Sequence, residues 1–322
     1  MKRFLITISI IIILGFSAFL SIKSEKIKFS NVFSILSDKQ VHLGFVGDMM
    51  FDRLVKSSVA RNGGDYNFLF TNIKGDLKKY DFLFGNLEGP VSDLGKNVGS
   101  KYSFRMDPEI LPVLKNVGFK AVSVANNHIG DWGHKAMADT FSRLQTVGIE
   151  PVGGGASSSP AYRPRYFDVG GLKIAIIGAS EFGKGYTEAT EKTAGIAVID
   201  KKKLASSTKE ALSKSDFVIV SLHFGTEYAP EPNDYQKDVA EFLIDSGANL
   251  VVGHHPHVLE PLVSHKGGYI AYSLGNFIFD QDFSSTTMSS AILDLIIANK
   301  KIISIKLIPI QLNSNFQPAV RK

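Results

Sequence analysis

The segment VHLGFVGD at residues 41–48 joins a continuous apolar run to a glycine and an aspartate, and this arrangement recurs along the chain. Apolar runs of this kind, without alternating polar residues, are typical of strands buried on both faces. Helical patterns over residues 52–60, 107–117, 133–147 and 233–246 alternate with the runs. The further runs are DFLFG at 81–85, AVSVA at 121–125, KIAIIGA at 173–179, DFVIVSL at 216–222 and NLVVG at 249–253. The alternation predicts an α/β domain with partly parallel sheets.

Other segments predict antiparallel strands, so we expect a mixed architecture. RYFDVGGLKIAIIG at 165–178 is typical of a hairpin, and AILDLIIANKKIISIKLIPI at 291–310 predicts two strands joined by a turn at 299–301. The stretch GGGASSSP at 153–160 predicts a flexible surface loop. Asp107 and Pro108 are typical of an N-cap and a first helical turn, which places a helix start there.

The N-terminus predicts a membrane anchor. Residues 4–22 carry no charged side chain and follow Lys2 and Arg3. Nineteen helical residues span roughly 28 Å, close to the hydrocarbon thickness of a bilayer. The positive-inside tendency places the N-terminus in the cytoplasm. We therefore expect a single-pass cell-membrane protein with an anchor over 1–22, a juxtamembrane spacer over 23–40 and an extracellular domain over 41–322. A cleaved signal peptide over 1–22 is the alternative.

Composition excludes several classes of site. The chain of 322 residues has no cysteine, which excludes disulfides, thiolate metal sites and cysteine nucleophiles. Its formal net charge is +5, and part of that excess flanks the apolar N-terminal segment. No run of lysine and arginine with interleaved aromatic residues is present, so we expect no nucleic-acid partner.

Polar side chains follow the ends of the predicted strands, where open α/β sheets bind ligands. Their carboxylates, amides and imidazoles are the ligands of an N/O metal site. The strongest signal is GHHPH at 253–257, which has three imidazoles in four residues. Taken alone, Asp48 could cap a helix, and His223 could be a buried core histidine. The candidates are Asp48, Asn86, Glu88, Asn127, His128, Asp131, His223, His254, His255 and His257. Asp52, Arg53 and Asp65 could reach the site or be solvated loop charges.

These motifs together resemble those of the CapA-type poly-γ-glutamate capsule-synthesis family, within the calcineurin-like metallophosphatase superfamily. The resemblance covers about residues 41–285 and implies a four-layer, metallophosphatase-like sandwich. In that sandwich two mixed β-sheets are flanked by helices, and the site lies at their shared edge. The motifs are GDMMFDR (47–53), GNLEGPVS (85–92), ANNHIGDWG (125–133), HFGTEY (223–228), GHHPHVLEP (253–261) and YSLGNFIFD (272–280).

The resemblance also implies roles for individual residues. One or two divalent cations (Mn, Zn, Fe or Mg) would be bound by Asp48, Asn127, His223, His255 and His257. Either Glu88 or Asn86 would take the place of the bridging carboxylate. His128 would act as a general acid, and Asp131 would favour its imidazolium form. We assign substrate contacts to Asn86, His254 and Asn276.

Three positions depart from the superfamily pattern. The Asp-x-His of the first strand is Asp48-Met49-Met50 here, and Gly-Asp in the second motif is Gly85-Asn86. The third motif has an additional Asn126 and no acid directly after His128. The departures bear on the number and identity of the metals and on phosphatase activity.

Two classes of function follow from the resemblance. The first is a membrane-anchored, metal-dependent hydrolase or transferase that acts on a phosphoester or a γ-glutamyl amide. It would take part in the synthesis, export or processing of an anionic, poly-γ-glutamate-like polymer. The second is a non-catalytic, metal-binding accessory subunit that contacts the membrane subunits of a polymer synthase. A general metallophosphoesterase is a further alternative.

Overall fold

The computed structural model describes residues 40–321 and contains two large β-sheets. The first sheet includes the N-terminal strand of the domain. Its strands are β1 Val41–Met49, β2 Phe82–Leu87, β3 Phe119–Ser123, β4 Glu150–Val152, β13 Asn276–Ile278, β14 Ser289–Ala298, β15 Lys301–Leu312 and β16 Pro318–Val320. Their order is β16-β15-β14-β1-β2-β3-β4, and β13 pairs with β1 beside this path. Strands β1 to β4 are parallel, whereas β14 to β16 are antiparallel.

The second large sheet has a parallel centre and antiparallel edges. Its strands are β6 Arg165–Val169, β7 Leu172–Ser180, β9 Phe217–His223, β10 Leu250–His254, β11 Leu262–His265 and β12 Gly268–Ala271. Their order is β11-β12-β10-β9-β7-β6. A small antiparallel pair is formed by β5 Gly154–Gly155 and β8 Gly195–Ile196.

The two large sheets pack face to face, with helices on both outer faces. A buried apolar layer between the sheets joins Phe45 and Phe84 of the first to Ile176 and Ile219 of the second. The outer face of the first sheet packs against α1 Arg53–Arg61, a 3₁₀ helix Tyr66–Phe70, α2 Lys74–Leu77, α3 Ile110–Val117 and α4 Gly133–Thr146. The outer face of the second packs against α5 Ser158–Tyr162, α6 Lys201–Leu212 and α7 Asp234–Asp245.

The expected α/β architecture of mixed sheets flanked by helices is therefore confirmed. The turn expected at 299–301 is also present, since β14 ends at Ala298 and β15 begins at Lys301. The predicted membrane anchor over residues 4–22 lies outside the described residues. Between residues 40 and 321, the helices are too short or too polar to cross a membrane.

Two local predictions are wrong. The predicted loop at 153–160 instead contains buried β5 and the start of α5. Gly153 has φ +80°, and a Cβ there would lie 2.7 Å from Cβ of Ala125, so the glycine serves close packing rather than flexibility. The helix predicted from Asp107 begins at Ile110, because the Asp107 carboxylate accepts hydrogen bonds from Lys56 and Tyr66 instead of capping. Helix α6 has no counterpart among the predicted helical patterns.

Candidate metal centre

The candidate residues converge where the strands of both sheets end. Asp48 at the end of β1 is opposite Asn86 of β2 on one side and Asn276 of β13 on the other. In the second sheet His223 ends β9 and is paired with His254, which ends β10. The backbone at Gly275, just before β13, lies unusually close to Gly47 in β1. A Cβ at Gly47 would lie 1.8 Å from the carbonyl oxygen of Gly275. This close approach brings Asn276 beside Asp48.

Asp48, Glu88 and His257 form a fully buried charged group. Nδ1 of His257 lies 3.4 Å from Oδ2 of Asp48, and its Nε2 lies 3.6 Å from Oε1 of Glu88. Burial alone would lower the pKa of His257, but the negative charges of Glu88 and Asp48 outweigh it and raise that pKa to about 9. Burial holds the pKa of Glu88 well above its usual range. An additional positive charge between the two carboxyl groups would favour the ionised form of Glu88.

Several buried polar atoms around this group lack a hydrogen-bond partner among the described residues. They include Oε1 of Glu88, both ring nitrogens of His254 and Nδ1 of His255. Buried polar atoms in folded proteins are normally paired, and a cation bound here would pair these nitrogen and oxygen atoms. Ligand atoms of Asp48, Glu88 and His257 all lie within 4.8 Å of one another, and so do those of Glu227, His255 and His257. Nitrogen and oxygen donors grouped in this way fit a divalent metal.

Asn276 fixes the orientation of the His257 ring. Its Nδ2 donates to Oε1 of Gln281 at 3.0 Å and to the carbonyl of Thr287 at 3.1 Å. Both amide hydrogens are thereby used, so Oδ1 is left to accept from Nδ1 of His257 at 2.9 Å. Because Nδ1 keeps its hydrogen for Asn276, Nε2 is the nitrogen that would lose its proton and bind a metal. Asn276 is fully buried, which places it in support of the histidine rather than at a solvent-facing substrate position.

His223 and His255 are neutral imidazoles on the side of the second sheet. Burial, reinforced by neighbouring His255, lowers the pKa of His223 well below its usual value, and burial lowers that of His255 to about 3. Neutral imidazole is the form that binds metals. Nε2 of His223 lies 2.8 Å from Oδ1 of Asn127, so two candidate ligands are already in contact. His255 has φ 99° and His257 has φ 60°, a left-handed backbone that is strained for these residues.

Asn86 links the carboxylates and is not itself placed as an oxygen ligand. Its Nδ2 donates to Oδ1 of Asp48 at 2.9 Å and lies 3.2 Å from Oε2 of Glu88. Its Oδ1 accepts a hydrogen bond from Asn126 at 3.1 Å. Because the oxygen is used and the amide hydrogens face the carboxylates, Glu88 is the better placed of the two residues to supply a metal-binding oxygen.

His128 is largely buried at the wall of the cavity described below, and its Nε2 lies 3.9 Å from Oε1 of Glu88. Its Nδ1 lies 2.8 Å from Oδ2 of Asp131, which also accepts from the backbone nitrogen of Phe104 at 2.9 Å. The His128 ring stacks on Phe104 with 4.1 Å between ring centroids. The carboxylate and the aromatic ring fix the imidazole, and Nε2 is the nitrogen left for a substrate.

A cavity of about 180 Å³ opens above the buried group and is lined by both His128 and His257. Its walls also contain Arg53, for which the sequence left a place at the site and a solvated loop position both open, and Glu227 and Tyr228, to which it assigned no role. All three lie inside motifs that carry the resemblance, which is the signal that could have found them. In contrast, Asp52 accepts from the backbone of Arg105, and Asp65 caps the 3₁₀ helix.

The chain is similar to known proteins over most of its length. The family model described as bacterial capsule synthesis protein PGA_cap matches residues 42–281. The chain is 33% identical over 295 residues to the PGA biosynthesis protein CapA of Bacillus subtilis (strain 168), which covers 90% of this chain and 76% of that protein. It is 31% identical over 263 residues to the capsule biosynthesis protein CapA of Bacillus anthracis, covering 79% and 64% respectively. A probable polyglutamine synthesis accessory protein of Mycobacterium tuberculosis (strain ATCC 25618 / H37Rv) is 30% identical over 192 residues, 56% of this chain and 50% of that one.

Solved structures share the fold at low sequence identity. A hypothetical protein from Thermus thermophilus has a TM-score of 0.55 at 15% identity, covering 84% of this chain and 98% of its own. A novel phosphatase from Mycoplasma pneumoniae has a TM-score of 0.52 at 14% identity, covering 85% and 94%. At these identities the likeness shows the architecture alone.

Proposed function

Because the chain belongs to the bacterial capsule synthesis protein PGA_cap family, we propose that it acts in making, exporting or processing a poly-γ-glutamate-like capsule polymer through a metal-dependent, hydrolase-like site. The names of its two Bacillus relatives support the polymer assignment. The observation that carries the metal-dependent part is the buried group of Asp48, Glu88 and His257 beneath a surface cavity, with unpaired atoms on Glu88 and on the neighbouring histidines.

The residues divide into two sets of metal ligands. Asp48, Glu88 and Nε2 of His257 would hold one divalent cation. Asn127, His223 and His255 would hold a second, and Glu227 is near enough to His255 to contribute an oxygen. When bound, the cations would supply positive charge for the anionic oxygens of the substrate and of the transition state.

Side chains of the protein supply the proton for the leaving group and fix the orientation of a metal-binding histidine. His128 is held through Nδ1 by Asp131, so its protonated form presents Nε2–H to the cavity. That proton can pass to the leaving oxygen of a phosphoester or the leaving nitrogen of a γ-glutamyl amide. Asn276 keeps the His257 ring in the tautomer that a ligand requires. His254 lies behind Asp48, with Nδ1 3.5 Å from Oδ1, and is fully buried.

A second candidate function is that of a non-catalytic accessory subunit whose metal centre holds the polymer. The Mycobacterium tuberculosis relative is named an accessory protein, which favours this reading. The two functions differ in their need for His128. A hydrolase uses it as a proton donor, whereas a binding subunit needs the metals but no proton donor. A general phosphoesterase is the third reading, and the phosphatase neighbour supports it only through its fold.

Metal content and turnover, measured on the full chain purified in detergent, test the proposal. We expect elemental analysis to find one or two divalent metals per chain, and we expect slow cleavage of a γ-glutamyl oligomer or a phosphodiester. An absence of metal after purification without chelators would contradict the metal-dependent function. Full metal with no turnover of either substrate would favour the accessory subunit.

We also propose that residues 1–22 anchor the chain in the cell membrane, with the domain outside. Support comes from the uncharged stretch at 4–22 after Lys2 and Arg3. Protease added to intact cells, or to spheroplasts where an outer membrane exists, should degrade the domain. Protection from the protease, or a mature N-terminus beyond residue 22, would contradict the anchor.

A further inference from the structure

The Arg53 guanidinium is fixed at the wall of the cavity by a buried carboxylate. Its Nε donates to Oδ2 of Asp280 at 3.0 Å, and its Nη2 lies 3.0 Å from Oδ1 of the same residue. The Asp280 side chain is fully buried, and it also accepts from the backbone nitrogen of Leu54 at the start of α1 at 3.0 Å. The hydrogen bond from Nε and the ion pair at Nη2 hold the guanidinium against this carboxylate.

The pair with Asp280 leaves part of the guanidinium unused. Arginine has five N–H groups, and the one on Nε is hydrogen-bonded to Asp280, so the four on Nη1 and Nη2 make no hydrogen bond to that residue. No other acceptor within residues 40–321 takes them, and the side chain is 36% exposed. These hydrogens form a second planar fork of the kind that matches a carboxylate or a phosphate.

The location of Arg53 relates this fork to the proposed chemistry. Its Cζ lies 5.3 Å from the ring centroid of Phe104, the same ring on which His128 stacks. Among the described residues that line the cavity, it is the one lysine or arginine. Arg53 also has φ 54°, a left-handed conformation that is uncommon for a residue with a side chain and is often found at functional positions.

We propose that the free fork of Arg53 binds an oxyanion of the substrate beside the reacting group, and that in a γ-linked polymer this is the free carboxylate of a glutamyl unit. The assignment to the polymer rests on the proposed function. A phosphate oxygen pair offers the same geometry, so the two sources have to be separated by experiment. Arg53 would select and orient the substrate without taking part in bond cleavage.

Calorimetric titration of the full chain tests this proposal with two probes, tri-γ-glutamate and inorganic phosphate. Arg53→Lys keeps the positive charge beside Asp280 but removes the fork. We expect it to weaken binding of the peptide by about 10- to 100-fold, the usual effect of losing a charge-assisted hydrogen bond. The matched control is Arg105→Lys, because Arg105 also lies over an aromatic ring, that of Trp132 at 3.7 Å, but does not line the cavity.

Folding and metal content are measured on the same samples. If Arg53→Lys melts early, the double variant Arg53→Gln/Asp280→Asn removes the buried carboxylate together with its partner and should also lose binding. Equal peptide affinity in the wild type and Arg53→Lys, or no binding of either probe to the wild type, would overturn the proposal. Arg53-dependent binding of phosphate alone would assign the fork to a phosphoester. If the chain purified without chelators contains no metal and still shows Arg53-dependent binding, the proposed function is wrong and the anion site is supported.

Discussion

Replacing Glu88 by Gln should abolish most of the stabilisation that a metal gives. Oε2 of Glu88 faces the Nδ2 donor of Asn86 at 3.2 Å, so a glutamine would keep its carbonyl oxygen there. Its NH₂ would then occupy the place of Oε1, which lies 3.6 Å from Nε2 of His257. A metal-binding oxygen is thereby replaced by a hydrogen-bond donor in a buried position, although the side chain keeps its shape.

The expected size of the effect follows from mass action. A metal present at 100 times its dissociation constant stabilises the folded state by about 2.7 kcal/mol. Loss of a residue that merely orients a ligand costs about 10- to 100-fold in metal affinity, so loss of the ligand itself should cost at least 100-fold. At the same metal concentration the stabilisation then falls to about 0.4 kcal/mol. In a domain of this size the rise in Tm on adding metal should drop from about 5–10 °C to about 1 °C.

The assay is thermal melting of the wild type and the variant in EDTA and in Mn²⁺. Glu260→Gln is the matched control, because Glu260 is also a buried glutamate with a raised pKa, and it contacts Gln236 rather than the metal groups. Its rise in Tm with Mn²⁺ should equal that of the wild type. A full Mn²⁺-dependent rise in Glu88→Gln would refute the assignment of Glu88 as a ligand.

Three further predictions concern the proton donor, a buried carboxyl group and the packing of a glycine. His128→Gln should keep its metal, as shown by elemental analysis, and lose about 10²- to 10⁴-fold in turnover; unchanged polymer output would remove His128 as a proton donor, and lost metal would make it a ligand. Burial raises the pKa of Glu260 to about 7, so the folded state binds more protons than the unfolded state, and stability should fall as pH rises from about 4.5 to 7. Urea melts at pH 5 and pH 8 should show that Glu260→Gln gains stability over the wild type mainly at pH 8; an equal gain at both would contradict this origin. Gly153→Ala should lower the free energy of unfolding by about 1–3 kcal/mol, because its Cβ would lie 2.7 Å from Ala125 in a backbone with φ +80°; an unchanged urea midpoint would show that the backbone relaxes freely.

The sequence predicts the strands well because their signal is local. Residues 43–47 have no polar side chain, and only a strand with two covered faces buries all of them. The convergence of polar residues follows from the same rule, since neighbouring parallel strands bring their carboxyl ends to one edge. The role of Asn276 has no such local signal. It depends on the pairing of β13 with β1 and on the carbonyl of Thr287, neither of which is close to Asp48 in sequence.

Arg53 shows a second limit of the sequence. A charged residue at the start of a helix is usually solvated, and nothing in its neighbourhood indicates a partner 227 residues away at Asp280. Gly153 shows the opposite error, because its glycine-rich stretch predicts a flexible loop and is instead closely packed. In both cases the deciding contact comes from tertiary packing, which local composition does not encode.

The convergence of both sheets on one centre has a consequence for the order of synthesis. The backbone nitrogen of His255 donates to Oδ2 of Asp48, 207 residues earlier, and Asn276 follows later still. A chain made from its N-terminus therefore produces Asp48 long before the groups that complete its surroundings exist. Until β10 and β13 have formed, the proposed ligands among residues 40–321 are not assembled into one site. If the centre binds a metal as proposed, the metal is acquired in the compartment where folding is completed, and its identity reflects the metals available there and not those present where synthesis began.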